Sequence, residues 1–242
     1  MKRNMILSYL FFFIITVSTV ATAFSDPSHN EDEWKKQQVR LVKGLESKGI
    51  TDKAVLQAMT DVPRHAFVPK WWRSDSYQDR PLPIGHEQTI SQPYIVAYMC
   101  EALKLTGKEK VLEIGTGSGY HAAVLSLLSK MVYTIEIVHE LGESAAKLLD
   151  NLEYENIEVK VGDGYQGWAK HAPFDAIILT AAPPKIPQPL LDQLKIGGRL
   201  IAPVGVNWQE LVLVERVEEG YKKTELLPVR FVPMTGEAQQ RR

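Results

Sequence analysis

The chain has 242 residues, 45% of them hydrophobic and 24% charged, with a formal net charge of −1. That describes an ordinary globular protein, long enough to bury a large core as one domain. No block of like charge argues for a nucleic-acid or membrane-surface partner. The one cysteine, Cys100, excludes an intramolecular disulfide, and six histidines without ligand spacing argue against a bound metal.

Lys2 and Arg3 precede an apolar run from about Met5 to Val20, and Ala21-Thr22-Ala23 places small residues where a signal peptide is cleaved. Residues 1–23 therefore read as a secretory signal and residues 24–242 as a single domain, with no stable membrane association after cleavage. An uncleaved anchor is the rival reading, because the run approaches the shorter end of spanning length.

Phe24 to Glu33 is polar and reads as a loose lead-in. Trp34, Gln38, Leu41, Val42 and Leu45 share one face of a helix that Gly49 ends. Thr51 is placed to cap a second helix carrying Val55, Leu56 and Met59, which Pro63 stops. Val62-Pro63-Arg64-His65-Ala66-Phe67-Val68-Pro69 is too proline-rich for regular structure, and Trp71 to Pro83 reads as loop. In that first segment Arg64 and His65 are functional candidates, although a histidine among apolar neighbours is more often structural.

Gln88-Thr89-Ile90-Ser91-Gln92-Pro93 leads into a helix bearing Ile95, Val96, Met99 and Leu103. On pattern alone Ser91 is the N-cap of that helix, with Pro93 in its first turn. Cys100 falls in the same apolar pattern and reads as a small core residue.

Val111-Leu112-Glu113-Ile114 runs into Gly115-Thr116-Gly117-Ser118-Gly119, and an apolar helix follows: a strand, a tight turn and a helix. Glycines serve where the backbone takes positive φ or a ligand must approach closely. The spacing is shorter than the G-x-G-x-x-G that lays a pyrophosphate on a helix N-terminus, and suits a nucleoside with a compact charged group. Such turns also serve plain packing. Beyond it strands at Val132–Ile137, Ile157–Val161 and Phe174–Thr180 alternate with helices at His139–Leu152 and about Leu190–Leu194. This alternation means a mostly parallel sheet covered on both faces. Glu210–Glu215 and Glu225–Val232 lack an intervening helix and should form an antiparallel pair at one edge.

Ligands of open parallel sheets sit beyond the carboxyl ends of the strands. Glu136 falls at such an end, about 20 residues past the first glycine, where an acid accepts hydrogen bonds from ribose hydroxyls. Asp163, between Gly162 and Gly164 at the next strand's end, can accept a bond from an adenine amino group. Alone, either acid reads as a turn residue; together with the glycine turn they describe an adenosine site.

These features resemble the Rossmann-like S-adenosylmethionine-dependent methyltransferases. Residues 62–69, 88–93, Leu194 to Leu200 and Val229-Arg230-Phe231-Val232-Pro233-Met234-Thr235-Gly236 are similar to signatures of the protein-L-isoaspartate O-methyltransferase family. The likeness spans roughly Trp34 to Gly236. It implies an α/β methyltransferase fold with an N-terminal helical extension, a monomer, and S-adenosylmethionine as methyl donor, with no metal. The substrates it implies are proteins and peptides containing L-isoaspartyl residues, methylated on the free carboxylate and repaired through a succinimide.

For the site, the resemblance implies Ser91 as the catalytic hydroxyl, with Thr89, Ile90 and Thr235 at the substrate. Glu113, Gly115, Thr116, Gly117, Gly119, Glu136, Asp163 and Gly164 would hold the donor. It also implies a cytoplasmic enzyme, which the signal-like segment opposes; an export product and translation beginning nearer Val39 both stay open. Other readings are a methyltransferase of a small carboxylic acid or hydroxyl compound, and an exported non-catalytic binder of altered proteins.

Overall fold

The computed structural model describes residues 27–240; the signal-like segment 1–23 lies outside them. Helix α1 (Pro27–Ser47) begins ahead of Trp34, so much of the expected lead-in is helical. Helix α2 (Lys53–Asp61) is capped by Asp52, not Thr51. The Asp52 carboxylate accepts the N–H groups of Ala54 and Val55, while Thr51 donates its N–H and hydroxyl to Glu101 on the next helix. A carboxylate at that position satisfies two otherwise unpaired N–H groups.

The loop expected over Trp71 to Pro83 ends in a hairpin that the sequence did not reveal, made of β1 (Leu82–Gly85) and β2 (Gln88–Ile90). Its two-residue turn, His86-Glu87, has φ of 50° and 58°, the left-handed pair that matches strand twist in tight hairpins. The usual Asn-Gly signal is missing, which hid the turn from sequence reading. Helix α3 (Pro93–Leu103) follows, with Gln92 at its N-cap. Ser91 is not the cap: it lies one residue outside, and Asp79 supplies the cap from elsewhere by accepting the Tyr94 N–H at 2.8 Å.

The main sheet is built from β3 (Lys110–Ile114), β4 (Met131–Glu136), β5 (Ile157–Val161), β6 (Phe174–Leu179), β7 (Leu194–Val204), β8 (Gln209–Val217) and β9 (Gly220–Val229). Their order is β5-β4-β3-β6-β7-β8-β9, parallel up to β7 and antiparallel over the last two pairings. The chain leaves β3 toward β5 and returns on the other side at β6, so the order switches beside β3. Helix α4 (Tyr120–Ser126) follows β3, α5 (His139–Asn151) follows β4, and α6 (Gln188–Asp192) precedes β7.

Strand alternation sends Val111 to one face and Leu112 to the other. The first face packs on Leu45, Met59, Val96 and Leu125 from α1 to α4; the second packs on Leu190 and Leu191 of α6. The expected edge pair is present, with one revision: β9 stops at Val229, short of Val232. The chain then folds back to the tip of β6, where Ala182 donates to the Val232 carbonyl and accepts from the Met234 N–H, both at 2.8 Å. Pro228 and Pro233 have no N–H to continue a ladder, which suits a strand end at a free edge. That return carries Met234 and Thr235 over the strand tips.

Candidate active site

Beyond the carboxyl ends of β3, β4, β5 and β6 lies a cleft with a mixed polar and apolar lining. The glycine turn forms its floor. Gly115 has φ of +101°, and a Cβ there would stand 2.3 Å from the Thr180 hydroxyl oxygen, so no other residue fits. Thr180 donates that hydroxyl to the Gly115 carbonyl at 2.6 Å, tying the turn to the tip of β6.

Glu136, at the tip of β4, is almost fully buried and accepts the N–H groups of Gly117 at 2.8 Å and Val138 at 2.9 Å. Two carboxylate oxygens carry about four acceptor positions, so each keeps capacity for a ribose hydroxyl. Asp163 accepts from the Tyr165 and Glu237 N–H groups, one on each oxygen, and so fastens the C-terminal helix α7 (Glu237–Gln240) to the cleft. Gly236 makes that approach possible, since a Cβ there would lie 2.3 Å from an Asp163 carboxylate oxygen.

Thr89, Ile90, Ser91, Gly115, Thr116, Gly117, Glu136, Asp163, Gly164 and Thr235 all line this cleft. Gly119 and Glu113 do not. Gly119 stands at the N-cap of α4 with φ of 87° and packs toward Leu149 of α5. Glu113 is wholly buried beneath the turn. One of its oxygens accepts the Thr134 hydroxyl at 2.6 Å, Thr134 meets the Thr116 hydroxyl at 2.6 Å, and the other oxygen has no partner. Burial pushes its carboxyl up to about 8, with Glu136 adding to the effect, so Glu113 is a neutral acid supporting the turn from below.

Sequence reasoning missed Thr180, Ile137 and His121 in the lining. For Thr180 the signal was its place at a strand tip. His121, one residue into α4, has its Nε2 3.4 Å from the Cys100 sulfur and its Nδ1 buried without a partner. Burial holds it down to about 3, so the imidazole is neutral at physiological pH. His65 is structural, stacked on Trp34 at 3.8 Å and bonded through Nδ1 to the Tyr77 hydroxyl at 2.6 Å. Arg64 was left open by the sequence and is fully buried behind the cleft wall; its Nη2 donates to the Ser91 carbonyl at 2.8 Å.

A second groove opens from the same wall. Thr89, Ser91, Thr180 and Val232 line both spaces, and the groove continues past Gln92, Ile95 and Arg230. Among the described residues no cluster of three or more His, Cys, Asp or Glu is placed to hold a metal ion, and no helix is long and apolar enough to cross a membrane.

A parallel sheet that ends in an antiparallel pair, with a short glycine turn and an acid at the neighbouring strand tip, defines the Rossmann-like class of methyltransferases. Within that class the sequence signature described as Protein-L-isoaspartate(D-aspartate) O-methyltransferase matches residues 36–239. A protein-L-isoaspartate O-methyltransferase of Gloeobacter violaceus is 56% identical over 198 residues, covering 81% of this chain and 97% of its own. Protein-L-isoaspartate O-methyltransferase 2 of Shewanella sediminis is 51% identical over 234 residues, 96% of each chain. A solved protein-L-isoaspartate O-methyltransferase superposes with a TM-score of 0.78 at 30% identity, over 83% of this chain and 67% of that one. A Plasmodium falciparum protein assigned to the same family, in complex with S-adenosyl-L-homocysteine, superposes with a TM-score of 0.69 at 26% identity over 82% and 98%. The chain belongs to the protein-L-isoaspartate(D-aspartate) O-methyltransferase family.

Proposed function

We propose that this protein transfers the methyl group of S-adenosylmethionine to the free carboxylate of L-isoaspartyl residues in altered proteins and peptides. The observation that carries this reading is the wall shared by the two spaces: Thr89 and Ser91 face both the nucleoside cleft and the groove beside it. A polypeptide lying in the groove would bring its carboxylate to Ser91, on the line toward the donor. A small acid would have no use for the second space.

The residues present fit the donor. Gly115 and Gly117 leave backbone without a Cβ at the cleft floor, Glu136 keeps acceptor capacity for a ribose, and Ile137 supplies apolar surface in the lining. When bound, the donor supplies an electrophilic methyl on a positively charged sulfur. Asp163 is assigned to the adenine amino group and Glu136 to the ribose, with Thr116, Gly117 and Gly164 close against the nucleoside. Glu113 acts from beneath through Thr134 and Thr116.

The acceptor carboxylate is already ionised at neutral pH, so the chain need not provide a general base. Its task is alignment and exclusion of water. The Ser91 hydroxyl donates to the carboxylate and fixes which oxygen faces the methyl; Thr89, Ile90 and Thr235 enclose it. The carboxylate oxygen takes the methyl carbon as the carbon–sulfur bond breaks, and the sulfur keeps the electron pair. The ester then loses methanol as the adjacent backbone nitrogen closes a succinimide, and hydrolysis returns part of the residue as normal aspartate.

Labelled methyl transfer to an isoaspartyl peptide, but not to its aspartyl twin, is the expected result for the full chain and for a chain lacking residues 1–23. Equal transfer to both peptides, or to neither, overturns the reading. We read the protein as a monomer, to be checked by light scattering. Residues 1–23 are read as an export signal, to be checked by the N-terminal sequence of the protein recovered from cells.

A further inference from the structure

Arg64 is the largest charged side chain in the core, and nothing in the methyl-transfer chemistry above uses it. It is 0% exposed. Its Nε donates to the Ser76 carbonyl and its Nη2 to the Ser91 carbonyl, both at 2.8 Å, while Nη1 has no well-formed partner. The guanidinium lies over the Tyr120 ring, 4.8 Å from its centroid, and the Tyr120 hydroxyl directs its own contact to the Met59 sulfur. Ser91 and Tyr120 both line the cleft, so the guanidinium braces two of its wall residues from behind.

The charge has no bonded counter-ion. Its well-formed hydrogen bonds go to carbonyls, the neutral Tyr120 phenol lies against it, and Asp79 acts on it only through space while tied to Lys48 at 2.6 Å and to the Tyr94 N–H. A buried cation is costly unless paired, and its removal from an apolar interior would ordinarily be neutral or favourable. A positive charge kept behind the wall where an anion binds has a different use. In a low-dielectric interior it is weakly screened and favours a carboxylate on the far side of Ser91.

We infer that Arg64 is a positioning residue of the acceptor subsite: it fixes the Ser91 backbone and the Tyr120 ring, and its unpaired charge draws the isoaspartyl carboxylate toward the Ser91 hydroxyl. This rests on the methyl-transfer reading above.

The test compares Arg64→Lys and Arg64→Gln with the wild type, measuring kcat and KM for an isoaspartyl peptide and, by calorimetry, the Kd for S-adenosylhomocysteine. Lys keeps the charge and loses the planar fork; Gln loses both. The expected pattern is a peptide KM raised about tenfold in Arg64→Lys, equivalent to about 1.4 kcal/mol, and further in Arg64→Gln, with the donor-product Kd held within about twofold. A merely structural arginine would instead lower the unfolding midpoint and donor-product affinity together and leave the peptide KM alone, which overturns the inference.

Should neither variant fold, the wild type decides. Attraction by a buried charge leaves the peptide KM nearly level between about 0.05 and 0.5 M salt, whereas attraction by exposed groups such as Arg230 makes it climb steeply and overturns the inference. A wild type that methylates no isoaspartyl peptide fails the reaction reading and this inference with it; an active wild type with an unmoved KM in both variants fails Arg64 alone.

Discussion

The backbone N–H of Gly117 donates to the Glu136 carboxylate at 2.8 Å, so the acid assigned to the ribose also sets the shape of the turn beneath it. Glu136→Gln keeps the side chain's size but turns one acceptor into a donor facing the N–H of Gly117 or Val138. Donor-product affinity should fall about 10- to 100-fold, the loss expected of one or two hydrogen bonds to a charged group. Calorimetric titration with S-adenosylhomocysteine reads this directly; an unchanged Kd would remove Glu136 from the donor site.

Under the proposed reaction Ser91 serves turnover and not donor binding. Its hydroxyl is assigned to the acceptor, and the helix that follows is capped by Asp79 instead. Ser91→Ala should therefore lower kcat/KM for an isoaspartyl peptide about 10- to 100-fold while the donor-product Kd stays within about twofold. The reverse pattern in steady-state kinetics contradicts the assignment.

Gly115 and Thr180 should be coupled. Gly115→Ala meets both a positive φ and a contact 2.3 Å from the Thr180 oxygen. The backbone penalty alone is roughly 1 to 2 kcal/mol. Thr180→Ala in the same chain removes the clash but not the φ, so the double variant should recover part of the lost unfolding free energy. A double-mutant cycle measures that coupling, and strict additivity would refute the geometry.

Glu113 supplies a pH signature of unusual sign. Its carboxyl is raised from 4.5 to about 8 in the folded protein, so between those values the folded state holds more protons than the unfolded one. Stability from this group is full below pH 4.5 and declines as pH rises to about 8. Glu113→Gln abolishes that decline. Between pH 5 and 8 its unfolding free energy should gain on the wild type by a few kcal/mol, on the order set by the linkage relation. Denaturant curves at several pH values provide the comparison, and parallel profiles would falsify a neutral Glu113.

The parts legible in the sequence were those with a local cause. Alternating apolar runs marked β3 to β6, three close glycines marked the turn, and an acid at a strand tip marked Glu136, because each signal sits within a few residues of what it builds. The parts not legible depended on residues far apart. Asp79 caps α3 across an intervening loop and hairpin, so Ser91 looked like the cap. Asp163 was read for the adenine amino group from its place at a strand end, but its bond from the Glu237 N–H, 74 residues on, had no local signal. Arg64 is an arginine, a residue for which exposure is the default expectation, and only the packing of Ser76, Ser91 and Tyr120 around it shows otherwise.

The return of the chain from Val229 to the tip of β6 has a thermodynamic outcome. Ser91 beside the hairpin, the glycine turn, Thr180 at the tip of β6 and Thr235 are remote along the chain, and all four line the cleft. A ligand in the cleft binds the folded chain and not the unfolded one, so it acts as a removable cross-link. Added at 100 times its Kd, it raises the free energy of unfolding by about 2.7 kcal/mol, and the melting temperature becomes a readout of occupancy.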